Sequence, residues 1–76
     1  MITLKETTAK NGEVVSRNVI SFDSYEEAQA QMEAKAKADL KATDGIMCEI
    51  THDEDCYSRV ANETGEGYYL SIRQED

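Results

Sequence analysis

The sequence predicts an α+β domain in which one helix packs on one face of a mostly antiparallel sheet, with elements in the order β-β-α-β-β-β. Three observations carry this. One long stretch, residues 23–45, spaces its apolar positions as a helix does. The segments on either side alternate with the period of strands, and an Asn-Gly pair joins the first two of them. Seventy-six residues hold one core, so 1–76 reads as a single small domain.

Residues 2–8, ITLKETT, place Ile2 and Leu4 on one face, with threonine and lysine opposite. Asn11-Gly12 tolerates the positive φ of a type I′ turn and so closes a hairpin. The second strand, EVVSRNVISF, is rich in β-branched residues but mixed in phase. Val14, Ile20 and Phe22 share one parity, Val15 and Val19 the other. Either a bulge shifts the register, or the strand is central and apolar on both faces.

The helix opens with Asp23 or Ser24 as N-cap, and Ser24 with Glu27 fits a capping box. Glu26 and Glu27 near its start, and Lys35, Lys37 and Lys41 later, complement the helix dipole. Tyr25, Ala28, Met32, Ala36 and Leu40 form the expected buried stripe, with Glu33 and Lys37 paired on the outside. Because that stripe is mostly alanine, the helix can approach a sheet closely. Gly45 ends it. Next, IMCEIT sets Ile46, Cys48 and Ile50 on one face, CYSRVANE is a weaker strand, and YYLSIRQ after GEG aligns Tyr68, Leu70 and Ile72. The terminal RQED is polar and is expected to fray. Strand order is not legible in this pattern.

Thirteen Leu, Ile, Val and Phe against sixteen acids and eight bases is a composition found in disordered chains. The absence of proline, the placement of all four glycines where elements start or stop, and the area added by four tyrosines and three methionines argue for folding. The expected result is a thin core, which self-association would help. A net charge of −8 opposes direct binding to a nucleic-acid backbone or an anionic membrane, and suits a basic protein surface. The same charge also keeps a small protein in solution. The start, MITLKETT, has no basic region followed by an apolar run, and two cysteines without a secretory signal fit a reduced, cytoplasmic protein.

Both cysteines and the only histidine fall in CEITHDEDCY, spaced C-x3-H-x3-C. Cys48, His52 and Cys56, with Asp53 or Asp55 as a fourth ligand, would make a Cys2His zinc site. Steps of four align side chains on a helix, however, and this segment reads as strand and turn with no zinc knuckle. No metal and no cofactor are therefore expected. If the hairpin turned about His52, the two cysteines would lie opposite each other at a separation a disulfide can span. In a reduced chain, Cys48 instead reads as a small core residue and Cys56 as partly exposed. A Cys–His nucleophile needs an orienting group, an oxyanion donor and a pocket, and one alanine-rich helix on a sheet leaves little concave volume. No phosphate loop or nucleophile elbow is present. An enzyme is not expected.

Charge distribution remains. Asp53, Glu54 and Asp55 stand at one expected turn, and Glu63 and Glu66 bracket the next. Glu75 and Asp76 would end near Glu49 if the third and fifth strands were neighbours. On one side of the sheet these groups would form a carboxylate strip beside Tyr57, Tyr68 or Tyr69, suited to Arg and Lys on a partner. With these acids, THDEDCY and NETGEGYY, and its single short domain, the chain resembles the small acidic inhibitor proteins of phages and mobile elements. Anti-CRISPR proteins are among them, several of which act as DNA mimics. That resemblance is compositional; it implies a non-enzymatic inhibitor that binds the basic surface of a nucleic-acid-handling protein, and it assigns no residue a role. The expected partner-binding residues, from the charge pattern, are Asp53, Glu54, Asp55, Tyr57, Glu63, Glu66 and Tyr69. The alternative is a homo-oligomerising domain that pairs through an open sheet face or edge, with Val15 and Val19 exposed.

Overall fold

A computed structural model describes residues 1–74. The elements are β1 (Ile2–Lys10), β2 (Glu13–Phe22), α1 (Tyr25–Ala42), β3 (Cys48–His52), β4 (Cys56–Ala61) and β5 (Gly67–Gln74). All five strands form one antiparallel sheet in the order β2-β1-β5-β4-β3, with α1 on one face, as the sequence predicts. The helix carries the chain from one edge strand, β2, to the other, β3. With β4 between them, β3 and β5 are not neighbours. Glu75 and Asp76 lie outside the described residues.

Asn11 and Gly12 take φ of 55° and 80°, as a type I′ turn needs. Below the turn Thr8 pairs Ser16 but Ala9 pairs Val14, so Val15 is an extra residue and β2 bulges. One inserted residue reverses the facing of everything beyond it. Val14 therefore joins Val19 on the side away from the helix, which resolves the mixed phase of the sequence. The strand is bulged and at an edge, not central.

Ser24 caps the helix, its hydroxyl accepting from the Glu27 amide at 3.2 Å. Ala28, Met32 and Ala36 are buried, and they meet Ile2, Leu4, Tyr57, Leu70 and Ile72, with Phe22 and Tyr68 packed at the margin. The expected stripe is shorter than five residues: Tyr25 and Leu40 remain 41% and 37% exposed. Beyond Leu4 and Leu70 the helix-facing positions of β1, β4 and β5 become polar, with Glu6, Arg59 and Tyr68, and the buried stripe ends at Ala36. The helix ends at Ala42, with Thr43 as its C-cap, and Gly45 (φ 84°) turns the chain just after. Ile46 and Met47 precede β3 and are exposed, so the third strand is shorter than its alternation suggests.

The other face of the sheet is uncovered. Strand alternation puts Lys5, Arg17, Val19, Tyr69 and Arg73 there, and Glu49 is its only acid among the described strand residues. The Tyr69 ring lies over Gly67, with its Cε2 and hydroxyl 2.7 Å from where a β-carbon would stand. Any side chain at position 67 would displace that ring. No helix among the described residues is long and apolar enough to cross a membrane.

The truncated stripe makes a paired prediction. Met32→Ala should cost about 2–5 kcal/mol by urea denaturation, a large share of the roughly 4–11 kcal/mol typical of a chain this size. Leu40→Ala should cost less than about 1 kcal/mol. Equal losses would contradict the assignment of the core.

Candidate functional site

Two polar clusters join α1 to the sheet. Arg59 on β4 donates from Nε to Asp39 Oδ2 at 3.1 Å and from a terminal nitrogen to Oδ1 at 2.8 Å, a two-pronged pair whose side chains are only about a tenth exposed. The Tyr57 hydroxyl donates to the same carboxylate at 2.7 Å. On the β1 side Lys35 pairs with Glu6 at 3.3 Å, and the Tyr68 hydroxyl donates to Glu6. The Tyr57 and Tyr68 rings meet edge-on at 6.3 Å. Asp39 and Lys35, four residues apart, thus fix the helix to β4 and β1 on either side of β5.

These contacts set titration. The hydrogen bond from Tyr68, assisted by Lys35, holds the Glu6 carboxyl below its ordinary value of 4.5 against the opposing effect of burial. Burial pushes the Tyr57 hydroxyl well above 10.0, with Asp39 adding to it, and burial with Glu6 does the same to Tyr68.

The first half of α1 faces the β3–β4 turn. Gln29 donates from its side-chain amide to the Glu54 carbonyl at 3.2 Å, and His52 Nε2 bonds the Glu33 carboxylate at 3.0 Å. His52 also meets the Tyr57 ring edge-on at 5.3 Å. Between these groups lies an open cleft of about 420 Å³ lined by Gln29, Glu33, His52, Asp53 and Glu54. Tyr25, one turn earlier on α1, feels the same turn: partial desolvation, then the charges of Asp55 and Glu54, raise its hydroxyl pKa. Among the described residues Asp53, Glu54 and Asp55 pair with no lysine or arginine, whereas Glu6 and Asp39 do. Glu33 bonds His52 rather than the Lys37 that helical spacing offers it.

The residues expected to form one binding strip separate into three places. Asp53, Glu54 and Asp55 stay together at the β3–β4 turn. Glu63 and Glu66 lie at the β4–β5 turn, at the other end of β4, roughly 17 Å of strand away, beside Asn11 of the first hairpin. Tyr57 is 1% exposed and is a core residue, so it offers nothing to a partner. Tyr68 packs at the core margin, and Tyr69 is on the open face, away from the acids. The sequence reading missed Tyr25, Gln29 and Glu33 as members of the acidic end. Their i, i+4, i+8 spacing was the available signal, but it says nothing of which strand they face.

The cysteine cluster divides between faces. Cys48 and His52 share the helix side of β3, while Cys56, beside buried Tyr57 on β4, takes the open side. The chain turns at residues 53–55, so Cys48 lies opposite Ala61 and not Cys56, and both thiols are free. Cys56 donates to Asp53 at 3.6 Å, and partial burial with that carboxylate raises its pKa. No three His, Cys, Asp or Glu among the described residues are grouped to hold a metal ion. No protein-family model, curated protein or solved structure matches the chain.

Stability should fall at both ends of the pH scale. Glu6 titrates lower folded than unfolded, so its contribution is present above pH 4.5 and is lost as pH falls through the lowered folded value. Tyr57 and Tyr68 titrate higher folded than unfolded, so theirs is present below pH 10.0 and is lost as pH rises beyond it. Urea midpoints across pH should show both limbs, with the acid limb shallower in Glu6→Gln. An unchanged acid limb in that variant would contradict the Glu6 assignment.

Proposed function

We propose that this chain is a non-enzymatic binding module that sets its acidic end against a cationic surface of a nucleic-acid-handling protein, as an inhibitor of the anti-CRISPR, DNA-mimic kind. One observation carries the reading: Asp53, Glu54 and Asp55 stand together without a lysine or arginine partner, beside Glu33 and the exposed ring of Tyr25. Carboxylates left unpaired in a fixed array attract Arg and Lys at long range, and an exposed tyrosine supplies the apolar anchor such contacts need. Glu63 and Glu66 lie outside this end and act, at most, through the general field.

Binding of the chain to a panel of basic nucleic-acid-binding proteins, with and without competing duplex DNA, tests it. The reading expects an affinity that falls about tenfold or more on raising salt from low to physiological strength, since exposed charges are screened over roughly 8 Å. It also expects loss of binding on changing Asp53, Glu54 and Asp55 together to lysine, and displacement by DNA. Salt-insensitive binding, or binding indifferent to the triple change, would reject it.

A second reading, self-association, is favoured by the exposure of Val14, Val15, Val19 and Tyr69. Against it, two-fold stacking of the open face would bring Lys5, Arg17 and Arg73 of two copies together. Light scattering separates the readings, since a stable, salt-insensitive dimer belongs only to the second.

A further inference from the structure

We propose that the acidic end takes an extended segment of its partner, added as a sixth strand on the β3 edge, with alternate side chains entering the groove between β3 and α1. This rests on the acidic end being the binding end, and it specifies what binds there.

The β3 edge is open and regular. The Asp53 amide donates to the Cys56 carbonyl at 2.8 Å, so in an antiparallel ladder Thr51 and Glu49 also bond β4. The backbone groups of Cys48, Ile50 and His52 therefore point away from the sheet. The opposite edge, β2, is blunted by its bulge, whereas β3 pairs β4 without a register shift. Strand addition would thus favour β3.

The groove beside that edge has two chemically different ends. Gln29 meets Glu54 and Glu33 meets His52, so four helix residues (about 6 Å) keep step with two strand residues (about 6.6 Å). The next steps along α1 bring Lys37 level with Ile50 and Lys41 level with Cys48, with Leu40 beside it. Ile50 is on the helix side of β3 yet 47% exposed, and Ile46, Met47 and Leu40 are exposed at the same end. One end is therefore anionic, with Glu33, Asp53 and Glu54, and the other is apolar along Ile46, Met47, Ile50 and Leu40, bordered on the helix by Lys37 and Lys41. Charge complementarity selects the occupant: an extended segment with Lys or Arg at one groove-facing position and an aliphatic or aromatic residue two or four positions away.

Panning displayed random linear peptides against the full chain tests this. The enriched peptides should alternate Lys or Arg with apolar residues at strand spacing, and as synthetic peptides they should protect the Ile50 amide from hydrogen exchange. Ile50→Pro, which removes an outward N–H at an edge where proline is tolerated, should weaken them about tenfold or more. Ile50→Lys, which keeps the backbone intact, should do the same through the apolar end. If Asp53→Asn/Glu54→Gln/Asp55→Asn abolishes binding while both Ile50 variants bind normally, the acidic end stands and strand addition falls. No enrichment, or enrichment of peptides without the alternation, overturns the proposal.

Discussion

Arg59 and Asp39 meet under the helix in a two-pronged ion pair that also accepts the Tyr57 hydroxyl, and the position of α1 depends on it. The apolar alternative is weak here. Three buried residues, two of them alanine, are what the helix contributes to the core. Alanine lets the helix sit close but gives it little shape to fix where along the sheet it lies. A planar guanidinium held at two nitrogens has one orientation, and the Glu6–Lys35–Tyr68 cluster fixes the other flank. A nearly buried ion pair of this kind adds little net stability compared with well-packed apolar groups, but losing one partner strands a charge. Its contribution is therefore placement. With α1 held over β1, β5 and β4, the edge strand β3 extends past it, and the acidic groove follows.

Charge is partitioned to match. Of the eight cations, Lys35 and Arg59 are consumed in holding the helix, and Lys5, Arg17 and Arg73 lie on the open face of the sheet. The carboxylates of the β3–β4 turn are left without lysine or arginine partners. Part of the net charge of −8 is thus gathered as a local cluster at the β3–β4 end, with Glu33 beside it. The array needs no rearrangement to be presented.

The fold was largely legible because its signals are local. Ser24 with Glu27, the Asn11-Gly12 pair, and the alternation around Leu4 and Leu70 each specify structure within a few residues. Where the reading diverged, the deciding contact was distant in sequence. Tyr57 reads as a surface tyrosine in an acidic turn, but its ring packs in the core with Leu4, Met32 and Leu70, and Asp39, eighteen residues earlier, accepts its hydroxyl. The bulge at Val15 was one of two alternatives that the phase of β2 left open, and the edge position of β2 decided between them. A disulfide would have needed the hairpin to turn about His52; the turn falls at residues 53–55, and strand alternation sends Cys48 and Cys56 to opposite faces. Glu63 and Glu66 resembled the acids of the preceding turn in composition, but successive antiparallel turns lie at opposite ends of a sheet. Composition reports the charge, while topology alone reports which charges meet.

A double-mutant cycle at Asp39 and Arg59, using Asp39→Asn and Arg59→Met with urea denaturation, tests most directly whether this pair places the helix. Each single change should destabilise the protein, and the double variant should be more stable than the sum of the two losses implies, by about 2 kcal/mol. Losses that add to within about 0.5 kcal/mol would mean the two side chains act independently, and the helix would then be placed by its alanine stripe instead.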